Sequence, residues 1–128
     1  MLGDLVGDLL AGLLVPGGGS ADQRRAGRAE RRLRAGREVR IGGAGLAGRA
    51  VEGTVRLRPG VAWWRPDPAP AAGEVLLCDG GRVEAVRPAG GRESGSPGRM
   101  VVTLVDGTRR SSVVVPAPYV GVVRRAFA

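Results

Sequence analysis

Residues 51–65 read VEGTVRLRPGVAWWR, and this stretch decides the fold that the rest of the chain must fit. Val55 and Leu57 alternate with polar residues, which is the period expected of a half-buried strand. A Pro59-Gly60 turn leads to a second strand with both tryptophans of a chain that has only four aromatic residues. Because an indole buries a large area, at least one tryptophan should anchor the core, and we assign that role to Trp63. The stretch therefore predicts a β-hairpin.

The chain from residue 38 onward reads as a series of short apolar strands separated by turn sequences. Glycine and proline cluster between the apolar runs, where tight turns such as Asp106-Gly107 are expected. Besides the hairpin, strands are predicted at 38–41, 74–78, 82–87, 99–105 and 109–115, and a last short helix at 119–127. The segments 66–73, 79–81 and 88–98 are predicted to be loops or turns. The core residues expected in addition to Trp63 are Val55, Leu57, Leu76, Val102, Leu104 and Val123.

Residues 1–15, MLGDLVGDLLAGLLV, place leucines at helical spacing, with Asp4 and Asp8 on the opposite side. The segment is too short to span a bilayer, which needs about 20 apolar residues. It is also unlike a signal peptide, because positive charge follows the apolar run instead of preceding it. Three interpretations are open: a helix that packs on its own domain or on a second copy, an interfacial membrane helix, and the remnant of a longer anchor. The aspartates favour packing against protein, since interfacial helices usually carry basic residues.

Residues 16–37 combine a glycine-rich break with an arginine-rich stalk helix. The run Pro16-Gly17-Gly18-Gly19 is predicted to end the first helix, and Ser20 to cap a second one that continues to about Arg37. Positions 22–40 hold eight arginines and three carboxylates, a net charge of +5. The apolar stripe of this helix is too thin to bury deeply and consists of Ala26, Ala29 and Leu33. The helix is then either a solvated stalk or an electrostatic contact for anionic lipid or nucleic acid. The arginines of this electrostatic stalk are Arg24, Arg25, Arg28, Arg31 and Arg32.

The composition supplies little of the chemistry that enzymes and metal sites need. The chain has no histidine and no lysine, and its net charge of +8 comes from 20 arginines and 12 carboxylates. Cys78 is the one cysteine, so an internal disulfide is excluded and a reducing compartment is indicated. It lies in an apolar run without a neighbouring base, which indicates a buried thiol. We therefore expect no enzyme activity, no catalytic residues, no metal site and no cofactor.

Residues 43–48, GAGLAG, match the glycine spacing of a dinucleotide-binding loop. Such a loop binds phosphate where it joins a strand to a helix within a βαβ unit. Here strand residues follow within a few positions, and the rest of the chain does not predict a parallel sheet. We therefore interpret the motif as a chance match in a glycine-rich sequence.

Seven short antiparallel strands followed by one helix resemble the pleckstrin-homology-like barrel. The resemblance covers about residues 37–128 and rests on this element order, on Val61-Ala62-Trp63-Trp64-Arg65, and on MVVTLVDGT at 100–108. It implies a mainly β fold, a small antiparallel barrel of two bent sheets capped by the C-terminal helix and preceded here by two N-terminal helices. With an apolar segment and a basic stalk in front, the chain is also similar to an uncharacterised family of short bacterial membrane-anchored proteins. The segment 1–15 is shorter and more acidic than such an anchor.

The resemblance implies a non-enzymatic binding or scaffolding module, with residues 1–15 and 16–37 as tether and stalk ahead of a β domain at 38–128. An apolar segment followed by a basic run is the order that the positive-inside rule gives when the C-terminal part stays cytoplasmic. The expected location is thus the cytoplasmic face of a membrane, and the expected partners are an anionic membrane surface or a protein.

In lipid-binding members of the resembled fold, a basic pocket holds phosphorylated head groups. The candidate anion-binding residues here are Arg56, Arg58, Arg65, Arg109 and Arg110. Two alternative functions stay open. One is a nucleic-acid-binding protein that uses the arginine-rich helix, and the other is a structural homo-oligomer that associates through residues 1–15.

Overall fold

The computed structural model describes residues 18–46, 50–67, 73–90 and 98–128. The helix predicted at 1–15 lies outside these residues, as does most of the predicted loops at 66–73 and 88–98. In chain order the elements are α1 (Gly18–Arg34), β1 (Val39–Leu46), β2 (Ala50–Arg58), β3 (Val61–Pro66), β4 (Val75–Asp79), β5 (Arg82–Pro88), β6 (Arg99–Asp106), β7 (Arg109–Pro116), a 3-10 turn (Ala117–Tyr119) and α2 (Val120–Ala126).

The described strands form one sheet in the order β4-β3-β2-β1-β7-β6-β5, and every neighbouring pair is antiparallel. The central strand is β1, which pairs along its whole length with β2 and, through Ala44 and Gly45, with β7. This second pairing joins what was expected to be two sheets into one. The edges are β4 and β5, so the sheet is open over the described residues. A mainly β domain with seven antiparallel strands and a C-terminal helix is thereby confirmed.

One face of the sheet carries the main core, to which both helices contribute. The predicted core residues that are at most 1% exposed are Val55, Leu57, Val102, Leu104 and Val123. Leu76 is different, because the pairing of β3 with β4 shifts by one residue between Ala62 and Trp63. The extra residue, Leu77, is buried together with Cys78, while Leu76 lies opposite Trp63. A one-residue shift changes which face a side chain occupies, and this explains the difference at Leu76.

The two tryptophans lie on opposite faces of β3, and the core residue is Trp64 rather than the predicted Trp63. Pairing across the hairpin places Trp64 opposite the buried Val55, and Trp63 opposite Arg56. The Trp64 indole packs against the core, and its Nε1 donates to the Gly43 carbonyl oxygen at 3.1 Å. Satisfying the indole N–H in this way removes the main cost of placing the ring among apolar side chains.

Close packing explains three glycines of β1 and β2: the Trp64 ring lies against Gly45 and Gly53, and Val55 and Val115 lie against Gly43. A Cβ at Gly45 would lie 2.9 Å from ring atoms Cε2 and Cζ2, and one at Gly53 would lie 2.7 Å from Cε2. Gly43 and Gly45 therefore belong to a paired strand over which an aromatic ring packs. The structure assigns the GAGLAG spacing a packing role at these two positions, and β1 extends to Leu46 instead of ending at the predicted Ile41.

The arginine-rich helix differs from its prediction at both ends and in its packing. It begins at Gly18, two residues before the expected cap at Ser20. It ends at Arg34 because Gly36, with φ of 77°, closes a Schellman motif in which the Gly36 and Arg37 amides donate to carbonyls of the last turn. The thin stripe is nevertheless deeply buried at two positions, Ala26 at 6% and Leu33 at 3% exposure. These side chains belong to the main core, so α1 is a packed element of the domain and not a free stalk.

The sheet curls until β4 contacts β6 and β7, although these strands are distant in the pairing order. Individual hydrogen bonds cross this seam. The Cys78 thiol contacts the Val105 carbonyl oxygen at 3.6 Å, and the Asp79 amide donates to Asp106 Oδ2 at 3.0 Å. The Arg109 guanidinium, on β7, donates to the carbonyl oxygen of Leu76 on β4. These hydrogen bonds thus hold the edge strand β4 against β6 and β7.

Gly45→Ala is expected to destabilise the domain by about 1–3 kcal/mol, because the new methyl group would displace the Trp64 ring. Gly42→Ala is the matched control on the same strand, since a Cβ at Gly42 would have no neighbouring atom within 4 Å. That variant should be neutral or more stable by about 0.4–1 kcal/mol. Urea unfolding monitored by tryptophan emission measures both, and equal free energies of unfolding would contradict the packing role.

Candidate functional site

Arg56, in the middle of β2, is the most extensively bonded arginine among the described residues. Its Nη1 donates to Glu38 Oε1 at 2.8 Å, and its Nε and Nη2 donate to the two carboxylate oxygens of Glu74 at 3.0 and 2.6 Å. The guanidinium carbon also lies 3.8 Å from the centroid of the Trp63 ring. The side chain is only 22% exposed, so these contacts occupy most of its surface. A bidentate carboxylate on one edge and an aromatic ring over the face hold the guanidinium in a fixed position.

The same contacts favour the charged forms of Arg56, Glu38 and Glu74. Hydrogen bonds from Arg56 hold the pKa values of the Glu38 and Glu74 carboxyls below their ordinary range, and both carboxylates raise the pKa of Arg56. All three groups are therefore firmly ionised at neutral pH. Three Arg56 nitrogens already donate to carboxylates, so its role is to organise the surface around it.

A small cleft of about 240 Å³ opens beside Arg56 on the surface of β1, β2 and β3. Arg40, Arg65 and Thr54 line it together with Arg56 and Glu74. Arg65 forms no ion pair with any carboxylate in the part of the chain that the structure describes. The lining is positively charged overall, since the described residues supply three arginines and one glutamate.

A larger cleft of about 500 Å³ lies between α1 and β1. Its charged residues are Arg25, Arg32, Arg40 and Glu38, and Ala29, Val39, Ile41 and Tyr119 complete the lining. Arg32 has no ion-pair partner within the described ranges, and Arg25 has only a 4.0 Å contact with the partly exposed Asp22. Arg40 lines both clefts, which makes them parts of one basic surface. We call Arg25, Arg32, Arg40 and Arg65 the Arg40 surface.

The structure brings together some of the predicted site residues and separates others. Arg56 and Arg65 line the smaller cleft, and Arg58 lies nearby, 3.4 Å from Glu38. Arg109 and Arg110 lie elsewhere, since Arg109 reaches Leu76 on β4 and Arg110 pairs with Glu84 at 3.1 Å. The five candidates therefore do not form one pocket.

The predicted stalk arginines divide in the same way. Arg25 and Arg32 are seven residues apart on one helical face and line the larger cleft, whereas Arg24, Arg28 and Arg31 are exposed and are not among its lining residues. The prediction missed Arg40. Its alternation with the core residues Val39 and Ile41 was the available signal, because it places Arg40 on the outer face next to Arg56.

No group of three or more metal-ligating side chains is present among the residues that the structure describes. Cys78 is buried, and desolvation raises the pKa of its thiol. A raised pKa keeps the sulfur protonated and poorly nucleophilic at neutral pH.

Comparison with known proteins finds no matching family model, no matching curated protein and no matching solved structure. None of the described helices is long and apolar enough to cross a bilayer.

Arg56→Gln should lower the free energy of unfolding by about 2–3 kcal/mol, because it leaves two carboxylates without their charged donor and removes the contact with Trp63. Arg58→Gln is the matched control on the same strand, two residues away and 59% exposed. It should cost less than about 0.5 kcal/mol, as exposed ion pairs do. Chemical denaturation at neutral pH compares the two, and similar losses would show that Arg56 is not the organising residue.

The stability of the domain should fall in acid. Three glutamates, Glu38, Glu52 and Glu74, have folded-state pKa values below the ordinary 4.5. The pKa of Glu52 is lowered because two Arg99 nitrogens donate to its carboxylate at 2.7 Å. Their stabilisation is fully present above about pH 5 and is lost as the pH drops from there through the lowered folded values. Urea unfolding between neutral pH and pH 3 measures this loss. The loss should be smaller in Arg56→Gln than in Arg58→Gln, and an unchanged pH dependence in Arg56→Gln would contradict the assignment.

Proposed function

We propose that this protein is a non-enzymatic binding module that docks on an anionic membrane surface, at its cytoplasmic face, through the Arg40 surface. The observation that carries the proposal is the sharing of Arg40 by two adjoining basic clefts. Arg32 and Arg65 form no ion pair with a carboxylate of the described residues, and Arg40, paired with Glu38 at 3.4 Å, is 60% exposed. Such a surface attracts phosphate-bearing head groups, and each arginine close to an anionic leaflet contributes on the order of 1 kcal/mol.

The site is built from several elements of the fold. Its arginines come from α1, β1 and β3 and line two adjoining clefts. The backbone that carries these arginines is held in place, since α1 is packed into the core and β1 is paired along its length with β2. Binding then has to order only the arginine side chains.

The architecture supports a pleckstrin-homology-like arrangement as the finer description of the fold. Four strands in hairpin order, then three more, then a helix that packs on the core follow the order of that fold. The sequence in front of the domain supports attachment at a membrane, because the apolar residues 1–15 precede the basic helix in the positive-inside order.

The experiment is sedimentation of the full chain with phosphatidylcholine vesicles that contain or lack phosphatidylglycerol. A variant with Arg25, Arg32, Arg40 and Arg65 changed to glutamine should lose at least about tenfold in apparent affinity for the anionic vesicles. The control changes Arg24, Arg28, Arg31 and Arg34, which are exposed and are not among the lining residues of the two clefts. It removes the same charge and should lose less than about threefold, because these arginines do not line either cleft.

Equal losses in the two variants would contradict a specific surface and leave only general attraction by net charge. Duplex DNA tests the nucleic-acid alternative with the same proteins. Salt-sensitive DNA binding that only the Arg24, Arg28, Arg31 and Arg34 variant loses, without specific vesicle binding, would replace the membrane proposal.

A further inference from the structure

A third cleft, of about 470 Å³, lies at the seam of the open sheet and shares no lining residue with the Arg40 surface. Its lining comes from β1, β3 and β4 on one side and from β7 on the other. The residues are Gly45, Trp64, Val75, Leu77, Arg110, Ser111 and Ser112. A volume of this size is within the range of small-molecule sites.

The floor of the cleft is apolar and preformed. The Trp64 indole is fixed by its hydrogen bond to Gly43 and by its contact with Gly45, so it lines the cleft with carbon atoms while its N–H is already satisfied. Val75 lies beside it and is 48% exposed, the one large hydrophobic side chain of the described residues that is this accessible. Together with Leu77 these residues form an apolar strip beside the edge strand β4.

The rim on β7 is polar and carries positive charge. Arg110 is the only charged residue among the described residues of the lining. Its side chain is 70% exposed, and its pairing with Glu84 at 3.1 Å is of the exposed kind that exchanges at little cost. Ser112, two residues further along the strand, lies on the same face of β7 as Arg110, and its hydroxyl is already bonded to Thr103 at 3.1 Å.

The two walls are held at a fixed separation. Arg109 crosses from β7 to the Leu76 carbonyl oxygen. The carboxylates Asp79 and Asp106, at the ends of β4 and β6, are not among the lining residues. The cleft therefore presents an apolar strip with a single cation at its rim.

We propose that this seam cleft binds a small amphiphilic anion, an unbranched acyl chain that ends in a carboxylate. The chain lies along Trp64, Val75 and Leu77, and the carboxylate pairs with Arg110. Charge complementarity selects the anion, because the described lining offers one guanidinium and no carboxylate. The apolar strip selects the chain, because covering Val75 and the indole removes accessible apolar surface from water. This site is independent of the Arg40 surface.

The test uses the fluorescence of the full chain carrying Trp63→Phe, in which Trp64 is the single tryptophan. Titration with dodecanoate below its micelle concentration should change the Trp64 emission saturably, while the matched cation dodecyltrimethylammonium should bind at least tenfold more weakly. Arg110→Gln in the same background should weaken dodecanoate binding about tenfold. The charge-matched control is Arg82→Gln, an exposed arginine of β5 outside the cleft, and it should have no effect.

Val75→Ser provides a second variant, because an exposed side chain can be changed without disturbing the core. It should weaken dodecanoate binding and leave the urea midpoint unchanged. The proposal is overturned if dodecanoate causes no saturable change, if the cation binds equally well, or if Arg110→Gln behaves like Arg82→Gln. None of these variants replaces an arginine of the Arg40 surface, and each is compared with the Trp63→Phe parent, so their outcome is separate from that of the vesicle experiment.

Discussion

The contact of the Trp64 indole with β1 and β2 is the constraint on which the rest of the structure depends. The ring reaches from β3 to the Gly43 carbonyl and lies against positions where a methyl group would collide with it. β1 and β2 must therefore have glycine under the ring, at Gly45 and Gly53. This packing stabilises as a central strand a glycine-rich segment that has poor intrinsic strand propensity. Packing of one aromatic side chain thus supplies what local sequence preference does not.

The neighbouring tryptophan does the complementary work on the outer face. Adjacent residues of a strand point to opposite sides, so Trp63 lies under the Arg56 guanidinium while Trp64 lies in the core. Arg56 in turn holds Glu38 and Glu74, one just before β1 and one just before β4. The hairpin therefore organises both an apolar face, which includes the seam cleft, and a charged face, which carries Arg40 and Arg65 of the Arg40 surface.

Much of this arrangement was predictable from the sequence, and the errors have identifiable causes. Period-two patterns and turn residues located all seven strands, because both signals are local. The choice between the tryptophans required the hairpin register: a two-residue turn at Pro59-Gly60 places Trp64 opposite Val55, and this could have been worked out. The one-residue shift at Leu77 and the burial of α1 depend on distant partners, and no local pattern encodes them. The candidate arginines divided for the same reason, since proximity between α1 and β1 is a tertiary property.

The position of β1 has a consequence for how the chain reaches this structure. β1 pairs with β7 through Ala44 and Val114, so strands that are far apart in sequence join β1–β4 to β5–β7. During synthesis the first four strands can form hairpins as they emerge, but one edge of β1 stays bare until the last strand has left the ribosome. Such long-range closure slows folding relative to a protein built from local contacts. The unpaired edge of β1 is also a site where nascent chains can aggregate, so prompt pairing with β7 protects the domain.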